Sequence, residues 1–265
     1  MNTIFVTTLV MTAIGIVISV ALVYAGKRFY VAVDERIAAI RSALPGNNCG
    51  ACGFAGCDAM AAAIARGDAP AGGCPVGGAS VAETIGAIMG TDAEVAERKV
   101  AFVKCAGTCD VTRELGHYTG INDCRSVVMN GLSIEECDYG CLGLGACAGV
   151  CPQNAIHIRN GIAQVEESRC VGCGLCVKAC PKDLIELVPA HNLVRVQCSN
   201  RDRGPLVRQV CSAGCIGCML CTRQCAFDAI SVSDNLAHVD YASCTQCGRC
   251  AEKCPVQVIT SPLNM

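Results

Sequence analysis

The chain has 265 residues, a net charge of −2, no tryptophan, only five Phe and five Tyr, and 25 cysteines. A near-neutral balance excludes a polyelectrolyte surface built for nucleic acid. An odd number of cysteines, packed in tandem through a long chain, excludes a disulfide-stapled secreted scaffold. With so few large side chains, apolar burial alone would not offset the entropy of ordering this chain, so cysteine-bound inorganic groups are expected to add volume and cross-links.

The first segment, Ile4 to Gly26, runs without a charge and is followed by Lys27 and Arg28. It is long enough to cross a bilayer. It lacks the basic start and short apolar stretch of a cleaved signal peptide. The spacing therefore predicts a single-pass N-terminal anchor (1–26) in the cell inner (cytoplasmic) membrane. The basic residues after it predict that the bulk of the chain faces the cytoplasm, where thiols stay reduced.

Apolar residues at helical spacing predict a helix over 31–44, stopped by Pro45-Gly46. A first cysteine group follows, Cys49, Cys52, Cys57 and Cys74, in a glycine-rich setting that lets the backbone lie close to a bound group. The stretch "TDAEVAERKVAF" opens with Thr91 and Glu94 in capping-box spacing and predicts a short helix.

From about residue 105 a repeat emerges. "CPQNAIHIRNGIAQV" predicts a hairpin pairing Ile156 and Ile158 with Ile162 and Val165 across Asn160-Gly161, and "CAFDAISVSDNLAHV" repeats it with Ile230, Val232, Leu236 and Val239. Each hairpin leads into another cysteine run. Residues ~137–198 and ~215–265 read as two copies of one module.

The runs Cys215-x2-Cys218-x2-Cys221-x3-Cys225 and Cys244-x2-Cys247-x2-Cys250-x3-Cys254-Pro255 have the spacing of a two-cluster bacterial ferredoxin, in which the fourth cysteine serves the other cluster. A cubane presents four irons at tetrahedral corners. A tight loop reaches three of them and the fourth thiolate must come from elsewhere. This predicts one 4Fe–4S site at Cys215, Cys218, Cys221 and Cys254, and another at Cys244, Cys247, Cys250 and Cys225. Ala226 stands where the pattern has proline. In the earlier module, Cys170, Cys173, Cys176 and Cys180-Pro181 form a regular run, whereas Cys137, Cys141, Cys147 and Cys151 are spaced x3, x5 and x3. The expected sets there are Cys137, Cys141, Cys147 with Cys180, and Cys170, Cys173, Cys176 with Cys151. The N-terminal group suits either a fifth cluster or zinc. Of the five remaining cysteines, Cys105, Cys124, Cys198 and Cys211 are expected to form a sixth site or to be scattered buried thiols, and Cys109 to be an ordinary thiol. The four histidines, at 117, 157, 191 and 238, are scattered. "GLGACA" at 143–148 matches the G-x-G-x-x-A fingerprint, but no strand leads into it and Cys147 is better used as a ligand; no nucleophile–base pair or Walker A sequence is found, so no bond-making active site is expected.

"LPGNNCGACGFAGCDAMA", "GCLGLGACAGVCP" and "CSNRDRGPLVRQVCSAGCIGCMLC", behind one N-terminal span, resemble the B subunit of the Rnf complex, a membrane-bound, ion-translocating ferredoxin:NAD oxidoreductase. The resemblance implies a subunit that accepts electrons from soluble ferredoxin and relays them to partner subunits carrying flavin and NAD. The expected fold is α+β: an anchor helix, a small cluster domain (27–90), a linker helix with a first ferredoxin-like module (91–198), and a second module (199–265). A stand-alone membrane-tethered polyferredoxin is the alternative; a corrinoid-enzyme activator and a zinc-stabilised regulator fit less of the chain. One further expectation rests on charge: Arg195, Arg201, Arg203, Arg208 and Arg223 face the single acid Asp202 between residues 195 and 225, a basic stripe suited to an acidic partner.

Overall fold

The computed structural model describes residues 2–28, 34–92, 97–116 and 118–262. Helix α1 (Asn2–Arg28) carries the apolar segment and ends on Lys27 and Arg28. Its stretch Phe5–Arg28 is long and apolar enough to cross a membrane, and none of it is buried against the rest of the protein. Asp34 caps α2 (Glu35–Ala43) by accepting a hydrogen bond from the Arg36 amide. The helix expected over 31–44 is thus found over its described part; residues 31–33 lie outside the described residues. Helices α3 (Cys57–Arg66) and α4 (Gly78–Met89) pack with α2 around Ile40, Met60, Ile64 and Ile85, a small core against which Cys52, Cys57 and Cys74 also lie.

The helix expected from Thr91 is not continued: Lys99–Val103 is a strand, β1, and residues 93–96, including Glu94, lie outside the described residues. The capping-box spacing favours a helix, but Val100-Ala101-Phe102-Val103 are buried on both faces and pair with a partner far along the chain, so tertiary pairing overrides the local signal.

Short helices α5 (Cys124–Met129) and α6 (Ala146–Gly149) precede the first hairpin, β2 (Ile156–Arg159) and β3 (Ile162–Val165). Ile156 faces Val165 and Ile158 faces Ala163, and Asn160 and Gly161 both take positive φ, as the tight hairpin turn requires. Helix α7 (Leu175–Ala179) leads to β4 (Ile185–Pro189), which pairs antiparallel with β1. The second module repeats this order. Strand β5 (Arg195–Val196), α8 (Gly204–Val210), α9 (Leu220–Gln224), hairpin β6 (Ile230–Ser233) and β7 (Leu236–Val239), and α10 (Arg249–Glu252) precede β8 (Ile259–Thr260), which returns to pair with β5. Each module is therefore closed by its first and last strands, with a hairpin between them. Strand β5, which pairs with β8, lies a few residues before position 199, where the second module is expected to begin.

Val100, Ile156, Ile162, Ile185 and Val188 form the first module's core with Cys147, Cys170 and Cys176; Val194, Ile230, Leu236, Val258 and Ile259 form the second with Cys215, Cys221 and Cys250. Polar contacts lock the modules together. The Arg195 guanidinium, only 3% exposed, donates to Asn192 O at 2.7 Å, pairs with Glu167, and stacks 5.3 Å from the Phe102 ring centre. Arg195 is thus a buried tie and not part of a surface stripe. Tyr241 Oη donates to Glu186 at 2.9 Å, and Ser199 Oγ to Lys104 O at 3.1 Å.

Candidate iron–sulfur sites

Four loops share one backbone. Following Cys141, Cys170, Cys215 and Cys244, the residue two positions on has positive φ (Gly143 +68°, Gly172 +66°, Gly217 +62°, Gln246 +58°), and so does the residue four positions on (Gly145 +79°, Gly174 +74°, Met219 +57°, Gly248 +73°). Left-handed residues at this spacing curl the chain so that successive side chains and amides point inward. Each loop then enters a one-turn helix and reaches its last cysteine. Three residues beyond Cys151, Cys180, Cys225 and Cys254 comes another positive φ, at Asn154, Asp183, Asp228 and Gln257. The turn after Cys225 therefore keeps its shape although Ala226 replaces proline.

The shared backbone relocates the start of the irregular run. Cys141, and not Cys137, is the equivalent of Cys215; Cys147 matches Cys221 and Cys151 matches Cys225. Leu144 stands where Cys218 stands in the other copy. From outside the loop, Cys124 lines one cavity with Cys141, Cys147 and Cys180. Burial pushes the Cys147 thiol up to about 12, with Cys141, Cys124 and Cys180 adding to the effect.

Cys137 goes elsewhere. It lines a second cavity with Cys105, Cys198 and Cys211. The spacing Cys137-x3-Cys141 repeats as Cys211-x3-Cys215, and Cys105 follows β1 as Cys198 follows β5. The four thiols are two symmetry-like pairs, one from each module. Burial pushes Cys105 up to about 12 and Cys198 to about 11, so each strongly favours its proton until a cation compensates. Four thiols are the donor set of a cubane cluster. Around them, the Gly107 amide donates to Cys105 Sγ at 3.4 Å, the Asn200 amide to Cys198 Sγ at 3.4 Å, and the Asn200 side chain to Cys137 Sγ at 3.4 Å. Donors to sulfur are what a cluster's ligand shell requires. The sequence expectation groups Cys137 with Cys141, Cys147 and Cys180, and Cys124 with Cys105, Cys198 and Cys211; the cavities instead bring Cys124 to the first three and Cys137 to the second three, and the repeated C-x3-C is the sequence signal that goes with that arrangement. Beside this cavity Glu135 is buried, and desolvation raises its carboxyl to about 7.

The remaining expected sets are compatible with the geometry. Cys225, Cys244, Cys247 and Cys250 line one cavity. Cys176 is raised to about 11, first by burial and then by Cys170, Cys173 and Cys151. Cys221 is likewise raised to about 11 by burial, with Cys215 and Cys218 contributing; Cys254 packs against the same core. In the N-terminal group, burial raises Cys74, with Cys52 and Cys57 nearby, and the Asn48 side chain holds the Cys57 amide at 2.8 Å. Among the described residues no three Cys, His, Asp or Glu side chains converge on a single metal ion. Cys109 is exposed beside the β2–β3 turn, where its amide donates to Asn160 O at 3.0 Å. His157 is half-buried and His191 exposed, their ring nitrogens 3.8 Å and 2.8 Å from carboxylate oxygens of Glu166 and Glu97; His238 is exposed, and His117 lies outside the described residues.

Two closed modules whose inward loops present thiols in fours define a polyferredoxin, a protein built around 4Fe–4S clusters. Family models agree in order along the chain: an Fe-S cluster model over residues 44–76, a 4Fe-4S dicluster domain over 136–184 and a 4Fe-4S binding domain over 236–259. The chain is 44% identical to the B subunit of the Na(+)-translocating ferredoxin:NAD(+) oxidoreductase complex of Acetobacterium woodii, over 100% of this chain and 80% of that one. It is 41% identical to the proton-translocating counterpart of Clostridium ljungdahlii over 98% and 93%, and 38% identical to the B subunit of the ion-translocating oxidoreductase complex of Methanosarcina acetivorans over 94% and 95%. The chain belongs to the family of B subunits of ion-translocating ferredoxin:NAD oxidoreductase complexes.

Proposed function

We propose that this chain is the electron-transfer subunit of such a complex, accepting electrons from reduced ferredoxin and relaying them to partner subunits that carry flavin and NAD. Helix α1 anchors it as a single pass, with the cysteine-rich units on the cytoplasmic side. Twenty-four cysteines hold six clusters, which supply one-electron carriers. The six sets form a series. Cys49, Cys52, Cys57 and Cys74 come first, and Cys49 neighbours Cys173 of the next set, Cys151, Cys170, Cys173 and Cys176. Then follow Cys124, Cys141, Cys147 and Cys180; Cys105, Cys137, Cys198 and Cys211; Cys215, Cys218, Cys221 and Cys254; and Cys225, Cys244, Cys247 and Cys250.

The observation that carries this reading is the set at the seam. It lies between the two ferredoxin-like modules, with Cys105 bonded to the amide of Cys141 and Cys198 to the amide of Cys215. A stand-alone pair of ferredoxins would need no such joint. The test is iron and acid-labile sulfide per chain in anoxically purified protein. About 24 of each supports six clusters, whereas about 20 would remove the seam site. Co-purification with polytopic and flavoprotein subunits separates this reading from a free-standing polyferredoxin.

A further inference from the structure

Of the 24 cysteines assigned to clusters, only Cys218 and Cys247 are exposed, and both belong to the second module. Electron transfer falls steeply with distance, so a soluble partner must dock where a ligand reaches the surface. The surroundings of Cys218 have the composition of such a face. Arg223 lies on α9, its amide bonded to Met219 O. Arg203 precedes α8, whose Gly204 lies so close to Ile216 that an added Cβ would stand 2.6 Å from the Ile216 carbonyl oxygen. Arg201 offers its carbonyl to the Asn235 side chain at 3.0 Å, and Asn235 backbone lies against Gly217. Arg201, Arg203 and Arg223 therefore border the 216–219 loop from three sides. All three are exposed, as is Arg208 one turn further along α8. Among them stand the exposed apolar side chains of Leu206, Met219, Leu220 and Phe227. Asp202, Asp228 and Asp234 are the acids nearest in the chain, Asp202 half-buried, and Arg201 also lines a cavity with Asp138, Asp183 and Glu186.

We infer that this face, centred on Cys218, is the docking surface for reduced ferredoxin, a small acidic iron–sulfur protein. The inference rests on the function proposed above. An apolar centre with a charged rim fits a brief, steered encounter, in which the arginines raise the association rate and the apolar centre brings the two redox groups together. A permanent interface within the complex would be expected to bury a larger, more apolar area.

The test uses the whole complex carrying Arg201→Glu, Arg203→Glu and Arg223→Glu together, mixed rapidly with photoreduced ferredoxin while cluster absorbance is followed. The expected result is reduction on the order of ten-fold slower at low salt, with a flattened salt dependence and unchanged iron content and subunit composition. A second variant, Phe227→Ser, should slow reduction while leaving the salt dependence intact. Rates equal to wild type in both variants would overturn the surface and leave ferredoxin as donor. Loss of partner subunits from the triple variant would overturn it by making this face an internal interface. A wild-type complex that dithionite bleaches and ferredoxin does not would overturn the proposed function itself, and this surface with it.

Discussion

Cys105 and Cys198 hold equivalent places in the two modules: each follows the first strand of its sheet, and each accepts a hydrogen bond from the first cysteine of the next loop, Cys141 at 3.4 Å and Cys215 at 3.3 Å. The flanking backbone matches as well, since Lys104 N donates to Leu184 O and Gln197 N to Val258 O, both at 2.8 Å. The seam site is thus a product of the duplication itself, assembled from the same two positions taken once from each copy.

The equivalence of Leu144 with Cys218 gives the sharpest test of the ligand sets. Cys124→Ser should cost about four iron per chain, as one cubane loses its fourth thiolate and is not retained. Adding Leu144→Cys to that variant should restore the iron, because the loop around Leu144 has the left-handed residues of a complete run. Iron analysis with electron paramagnetic resonance of the reduced protein reads both outcomes. A Cys124→Ser protein with full iron would exclude Cys124 as a ligand.

Gly172 illustrates how tightly the loops are wrapped. Its φ is +66°, and a Cβ there would stand 2.4 Å from the Lys99 carbonyl oxygen on β1. Gly172→Ala must either strain the loop or push the closing strand away. A cost of at least about 2 kcal/mol is expected, seen as a lower temperature of cluster bleaching.

Arg195 and Glu167 make an asymmetric pair, the arginine buried and the carboxylate partly exposed. Glu167→Ala leaves a buried guanidinium without its counter-charge and should cost about 3 kcal/mol. The double variant Glu167→Ala with Arg195→Met should be less damaging than Glu167→Ala alone, since it removes the stranded charge. Thermal bleaching of the three proteins gives the order directly.

Cluster assembly should depend on pH in a direction set by the buried thiols. Burial raises Cys105 and Cys147 to about 12, and Cys176, Cys198, Cys221 and Cys250 to about 11. A folded state that raises a thiol's pKa holds its proton more tightly than the unfolded chain. In the metal-free chain this contribution is fully present below the unfolded thiol pKa, near ~8.5, and is lost as pH rises through the folded values. Ligation works against it, because each thiol must release its proton to bind iron. Reconstitution of iron-depleted protein should therefore be more complete at mildly alkaline than at mildly acidic pH, measured as bound iron. Equal loading at both would show that deprotonation does not limit assembly.

Much of this architecture is legible in the sequence because its signals are local. The hairpins follow from alternating apolar residues around turn residues, and three of the four ferredoxin loops follow from cysteine spacing alone. In the fourth, Cys137 lies at a plausible distance before Cys141, and only alignment of C-x3-C with its copy shows that Cys141 stands where Cys215 does. Cys124 carries no spacing signal at all, since no cysteine stands between Cys198 and Cys211 in the second copy. Strand β1 is hidden for a related reason, since its partner β4 lies far along the chain while Thr91 and Glu94 favour a helix locally. Arg195 reads as one charge among five, and only its fold neighbours Glu167 and Phe102 distinguish it from the exposed arginines.

The seam has a consequence for how this protein can be divided. Each module brings two of the four thiols there, so neither could keep that centre after separation, however well it folded. Breaking the chain between Val188 and Val194 would part Cys105 and Cys137 from Cys198 and Cys211, and so sever the proposed relay at the seam. In the proposed relay, conduction and cohesion would share the same four sulfur atoms, and a lesion in either is expected to be felt as a loss of both.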